Sequence, residues 1–434
     1  MSVRSAMRRV RAHVPFGMGT VTVVSAALLV ACVGIVLSID TPTVARTYEN
    51  AQLRGYDRQP EVAWTASSGT LPGYNQLGDI EVADTHTDQW LLSYPRGIGR
   101  AYEMVDRYTG RALWPEPVVA GLGSCAFDAA GNVGCALKLG DQPDGFYMVD
   151  DAGNLHSRSA LDDTAQVVGV GSNFVRVDQA GYEVSMRTAT GKRVWSRTFA
   201  SAAHATYEHQ ILVVSTADGS RFVIDSRGAD ALRCQDCDVL TYSSGLAVVQ
   251  RGDARRSVET YAVVGGTPTR EPTSESPSAQ VVDGPSTLPV LTTVGDAAMQ
   301  ATQGFYQVRD PARSDALWQI TDPRLSKSNT RPCGSMVAFA RMDRSRVIYR
   351  LDDGKRVGIL PVPSIDDPDT NLDLVHCVGS SGDHLVFGSS GQLSAFDVPS
   401  GTVSWTRPIL GRAADVDGFI VLTEGTTLSV LRPN

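Results

Sequence analysis

The residues able to do chemistry are few and scattered. Asp84-Thr-His-Thr-Asp88 sets His86 between two carboxylates, a pattern suited to metal binding or general-base work. Two-residue spacing on a strand sends all three side chains to one face, but a partly exposed turn with ordinary hydrogen bonds is the simpler expectation. Asp366-Asp-Pro-Asp-Thr-Asn-Leu-Asp373 offers oxygen ligands at alternate positions, which suggests calcium. An EF-hand-type loop counted from Asp367 would need Gly and Glu where Leu372 and Val378 stand, so a solvated loop is expected instead. The remaining histidines (His13, His156, His204, His209, His376, His384) form no HExxH pattern, and the chain has no Gly-x-Ser-x-Gly elbow, P-loop or dinucleotide fingerprint. Arg251-Gly-Asp253 matches an adhesion tripeptide too short to weigh. No catalytic residue and no metal site is assigned.

Cysteine chemistry points to export. Cys32 lies in an apolar run; the other six are Cys125, Cys135, Cys234, Cys237, Cys333 and Cys377. Six cysteines allow about 15 pairings, so sequence alone leaves the connectivity open. Cys125 and Cys135 flank the turn-like Asp128-Ala-Ala-Gly-Asn132 and can face each other across paired strands; Cys234 and Cys237 can close a small loop; Cys333 and Cys377 remain. A redox Cys-x-x-Cys needs a helix N-terminus and a zinc site needs four ligands. Strand-like segments flank Cys234-Gln-Asp-Cys237, so a structural disulfide is expected there.

The N-terminus carries the address. Met18 to Ile39 is uncharged and apolar over 22 residues, preceded by Arg4, Arg8, Arg9 and Arg11. That length crosses a hydrocarbon core of about 30 Å, and the arginines read as cytoplasmic. The expectation is a basic segment 1–17, a single signal-anchor helix 18–39, a linker 40–60 and an extracytoplasmic body at the cell membrane. Thr43-Val44-Ala45 is an alternative cleavage site, and Leu29-Val30-Ala31-Cys32 resembles a lipobox that would lipidate Cys32. Without the four arginines the body has 35 basic against 47 acidic residues, a net of −12. Such a charge repels phosphate backbones and argues against nucleic-acid binding. Only four of the 39 basic residues are Lys, a skew that points to a GC-rich, actinobacterium-like coding sequence.

The elements that must position any site are short strands punctuated by Gly, Asp, Asn and Pro, with no sustained helical period past residue 40. A strand, a turn ending in Gly and a second strand recur with turn glycines at 110, 153, 191, 228, 354 and 401. Trp114, Trp195 and Trp405 each follow such a Gly by four residues. The gap from 228 to 354 accommodates two weaker units, one turning at Gly265-Gly266 and one before Trp318. A period near 40 residues with four strands per unit predicts a β-propeller over 61–434. The C-terminus supplies strands but no final Trp piece, and Glu61-Val-Ala-Trp64 supplies the missing one, so strands from both ends should close the ring. The literal count is nine units; the expectation adopted is eight blades with one irregular unit. Thr267 to Pro289, rich in Pro, Ser and Thr, reads as an exposed loop inserted between blades.

Tyr108-Thr-Gly-Arg-Ala-Leu-Trp114, Thr190-Gly-Lys-Arg-Val-Trp195 and Ser400-Gly-Thr-Val-Ser-Trp405 resemble the tryptophan-docking repeat of PQQ-like propellers. That family includes quinoprotein alcohol dehydrogenases and the non-enzymatic scaffold propeller of the outer-membrane assembly machinery. The resemblance implies blade-docking roles for Trp64, Trp114, Trp195, Trp318 and Trp405. The family's enzymes carry adjacent cysteines and a Glu/Asn/Asp calcium site; this chain has no adjacent cysteines. The expectation is therefore a membrane-anchored propeller that binds an envelope protein or polymer, with no cofactor, and the reading leans against an enzyme. The alternatives are a PQQ- and calcium-dependent oxidoreductase or a hydrolase with paired carboxylates at the channel mouth.

Overall fold

In the computed structural model the described residues are 50–159, 163–251, 256–294, 304–326, 329–361, 372 and 374–434. The apolar run 18–39, Cys32, most of Asp366–Asp373 and the Gly-Asp of the adhesion tripeptide lie outside them. The chain divides into two units, 1–47 and 48–434, and every described strand belongs to the second.

Nine antiparallel sheets follow one another along that unit. The first eight blades span 81–121, 125–159, 164–198, 203–235, 237–277, 279–321, 331–360 and 376–408. The ninth joins Arg412–Val416, Phe419–Glu424 and Thr427–Leu431 to the N-terminal strand Val62–Ala66, in the register Thr65 to Ser429. No helix occurs among the described residues, and none there is long and apolar enough to cross a membrane.

The eight-blade expectation is thus corrected to nine. Both weak units between Gly228 and Gly354 are complete blades, one turning at Gly265-Gly266 and the other leading into Trp318. The Pro/Ser/Thr-rich stretch is corrected as well. Ser274–Pro277 pairs with Ser257–Val264 as an outer strand of the fifth blade, and Ala279–Val281 opens the sixth. Its serines and threonines form ladder-side hydrogen bonds, as between the Thr260 and Ser274 hydroxyls at 2.7 Å, so a polar composition there does not make a loop.

The core lies between blades. Nine apolar clusters each draw on two consecutive blades, from Leu91 with Cys135 at the first seam to Phe419 with Trp90 at the last. One cluster per seam, including the seam between the ninth and first blades, means the ring is closed. Middle strands are buried on both faces, as in Gly145–Val149 and Met336–Ala340, and read as continuous apolar runs. Outer strands such as Arg193–Thr198 bury little beyond Trp195, so they carry charge.

The tryptophans act across seams. A Cβ at Gly110 would fall 2.5 Å from the Trp64 ring, one at Gly228 2.7 Å from Trp195 and one at Gly354 2.6 Å from Trp318. Trp114 lies likewise against Gly153. Each indole therefore sits on the turn glycine of the following blade. The glycine both adopts positive φ, +84° at Gly228, and leaves room for the ring. We expect Gly228→Ala to cost about 2 kcal/mol or more, since it meets both constraints; urea unfolding followed by tryptophan fluorescence measures it, and a change below about 0.5 kcal/mol would contradict the packing.

All three cysteine pairings are disulfides: Cys125–Cys135, Cys234–Cys237 and Cys333–Cys377. The first links neighbouring strands of one blade. The second joins the fourth blade to the fifth, and the third staples the inner strands of the seventh and eighth blades across 44 residues. Closing a loop of that length stabilises a fold by about 4 kcal/mol in the chain-entropy account.

Candidate functional site

The antiparallel order of each blade gives the ring two distinct faces. One carries the turns between first and second and between third and fourth strands, including Gly110, Gly228 and Gly354. The other carries the remaining turns and the connectors between blades. They are called here the glycine face and the connector face.

Around the channel, side chains of one inner strand bond the backbone of the next. Asp84 Oδ2 accepts the Phe127 amide at 2.8 Å, Ser124 Oγ accepts that of Val167 at 2.8 Å, and Gln166 both donates to and accepts from Ala205. His376 Nε2 lies 3.1 Å from the Ala413 carbonyl. Asp84 and His86 therefore serve a seam. Burial pushes the Asp84 carboxyl up, opposed by the Phe127 and Thr85 amides, while His86 packs against Phe127 with centroids 5.8 Å apart. Asp88 instead pairs with Arg107 at 2.9 Å. The chain turns at Thr87 and Asp88, between His86 and its cross-strand partner Gln89, which is the turn with ordinary hydrogen bonds expected here. No grouping of three or more His, Cys, Asp or Glu suited to a metal ion occurs among the described residues.

Residues 50–56, read from sequence as linker, sit in the channel mouth on the glycine face. Asn50 Nδ2 donates to the carbonyls of Thr241 and Ser286, each at 3.3 Å. The Leu53 amide donates to Ser380 and the Arg54 amide to Gly418. Arg54 and Arg107 both reach Asp417, at 3.3 and 2.7 Å, and the Arg54 guanidinium lies 4.2 Å over the Phe419 ring. Tyr56 is fully buried between the eighth and ninth blades. Its hydroxyl donates to the Leu431 carbonyl at 2.9 Å and accepts the Ile420 amide at 3.0 Å. The Trp405 indole donates to the Tyr56 carbonyl at 2.9 Å. Trp405 thereby finds on Tyr56 the partner that a final turn would have offered. The unanswered Trp405 was the one sequence signal for this role.

Two cavities lie beside this segment. One, of about 510 Å³, is walled by Asn50, Pro285, His376, Arg412 and Asp415. The other, of about 440 Å³, is walled by Asn50, Pro285, Glu208, Asp238 and Asp283 with Val239, Leu240 and Val281. Burial pushes the Asp415 carboxyl up to about 7, opposed chiefly by the Gly418 amide. None of these residues belongs to a local motif, so sequence reading does not assemble them.

The connector face carries exposed apolar side chains: Leu77, Ile98, Leu122, Leu139, Met342, Leu374 and Leu410. The first four form a row on turns that touch one another. Asn75 Nδ2 donates to Gly97 at 3.3 Å and the Leu122 amide to Lys138 at 2.8 Å. A Cβ on Gly99 would strike the Gly121 carbonyl at 2.1 Å, so glycine there lets the turn that carries Ile98 close on the backbone next to Leu122.

No known protein family's profile matches the chain, and no curated protein sequence matches it. Among solved structures it is similar to BamB from Moraxella catarrhalis, with 13% identity, 86% of this chain and 98% of that one covered, and a TM-score of 0.39. It is also similar to the computationally designed Ika8 protein, with 12% identity, 88% and 99% coverage and a TM-score of 0.37.

Proposed function

We propose that this propeller is a non-catalytic binding module of the cell envelope, tethered to the membrane by residues 18–39 and docking a protein or polymer through its connector face. The observation that carries the reading is the row of Leu77, Ile98, Leu122 and Leu139. Scattered exposed apolar residues are ordinary on a soluble surface, whereas a contiguous set marks an interaction site. The inner-strand polar groups at the seams are occupied in holding blades together, which supports a structural role for them. In this reading the protein works without PQQ or calcium.

The test places a photo-crosslinking residue at Ile98 or Leu122, with Tyr108 on the glycine face as the comparison. A discrete adduct should form from the connector face alone and fall at least tenfold when Leu77 and Leu139 are changed to Glu. Equal crosslinking from both faces, or adducts indifferent to the added charges, would overturn the reading.

A further inference from the structure

The two channel cavities share Asn50 and Pro285 as a common wall and differ in charge: the charged groups lining the smaller are carboxylates alone, those lining the larger Arg412 as well as Asp415. On one side stand Glu208 and Asp283; on the other, Arg412 with His376. None of Glu208, Asp283 or Arg412 forms an ion pair with another described residue. Asp238, the third carboxylate of the smaller cavity, is neutralised by Arg251. Asp415, the one carboxyl of the larger cavity, is turned to the Gly418 amide at 2.9 Å, and burial favours its neutral form. That leaves net negative charge in one lobe and, in the other, the Arg412 guanidinium only partly opposed by Asp415. The Glu208 carboxylate is oriented by the Thr241 hydroxyl at 3.1 Å. His376 is oriented by Ala413. The smaller lobe adds apolar walls from Val239, Leu240 and Val281.

Each lobe falls within the about 300–1,000 Å³ range of ligand pockets, and apolar walls with a few fixed polar groups are their usual lining. We propose that this divided cavity binds a short zwitterionic peptide, its ammonium in the Glu208/Asp283 lobe and its carboxylate in the Arg412/His376 lobe. Asn50 stands between them, so the segment that seats the N-terminal strand is also a wall of the site. This goes beyond the docking role of the connector face and is independent of it, because the two sets of residues do not overlap.

The experiment uses the full chain in detergent micelles and isothermal titration with tri-alanine, N-acetyl-tri-alanine and tri-alanine amide. Tri-alanine should bind, and blocking either end should weaken it about tenfold, the loss expected for one missing charge contact of about 1.4 kcal/mol. Glu208→Gln with Asp283→Asn should weaken tri-alanine to the same extent and make the chain indifferent to N-acetylation. Arg412→Gln should make it indifferent to amidation. Unchanged melting temperatures of the variants confirm that they are folded. No heat at 10 mM peptide, or equal affinity for the free peptide and the two singly blocked ones, would overturn the proposal. Either result leaves the crosslinking test of the connector face unaffected.

Discussion

Replacing Tyr56 with Ala is expected to destabilise the ring by about 4 kcal/mol. A buried aromatic truncated to Ala costs about 3–5 kcal/mol through lost transfer energy and the cavity left behind. Here the change also strands the Ile420 amide and the Leu431 carbonyl, both bonded to the Tyr56 hydroxyl. Tyr56→Phe keeps the ring in the apolar seam of Leu53, Val386, Trp405 and Leu422 but still orphans the amide, at about 1–3 kcal/mol. Chemical denaturation should place the variants in that order. An Ala variant within about 1 kcal/mol of the parent would mean that residues 50–56 are a linker after all.

Stability should fall as pH rises from about 4.5 to 7. Glu103 is 2% exposed, one of its oxygens lacks a hydrogen-bond partner, and burial pushes its pKa from 4.5 up to about 7. The Trp114 amide opposes that rise and the charge of Glu116 adds to it. The folded chain therefore keeps a proton that the unfolded chain releases across this window, so folding weakens with rising pH and levels off above about 7. A shift of this size corresponds to about 3 kcal/mol. Asp415, raised to about 7 by burial, acts in the same direction. Glu103→Gln should be more stable than the parent at pH 8 by about 2 kcal/mol and close to it at pH 5. A variant equally destabilised at both pH values would contradict the assignment.

The propeller was legible because its signals are local. A turn glycine and a tryptophan four residues later lie on one stretch of chain, even though Trp114 and Trp195 pack on the glycine of the next blade and Trp405 on Tyr56. Two of the cysteine pairs were within reach for the same reason, Cys125 and Cys135 being direct cross-strand partners and Cys234 and Cys237 three residues apart, whereas Cys333–Cys377, 44 residues apart, was only what remained. The blade count misled where those signals lapse. The fifth blade has no tryptophan, and its outer strand Ser274–Pro277 has the composition of a loop. The Asp84, His86 and Asp88 spacing suggested chemistry, but the chain turns after His86 and sends Asp88 to Arg107. The proposed channel site was beyond sequence because Glu208, Asp283 and Arg412 come from three blades and line adjoining cavities only through ring closure.

That closure is the central claim, and an engineered bond between the N- and C-terminal strands tests it most directly. Thr65 and Ser429 are register partners whose hydroxyls lie 3.1 Å apart. In the full chain carrying Thr65→Cys and Ser429→Cys, mass spectrometry of proteolytic fragments should find the two positions joined by a disulfide, with both new thiols protected from alkylation under native conditions. Free, fully alkylated thiols at 65 and 429 in the folded protein would show that the N-terminal strand does not complete a ninth blade.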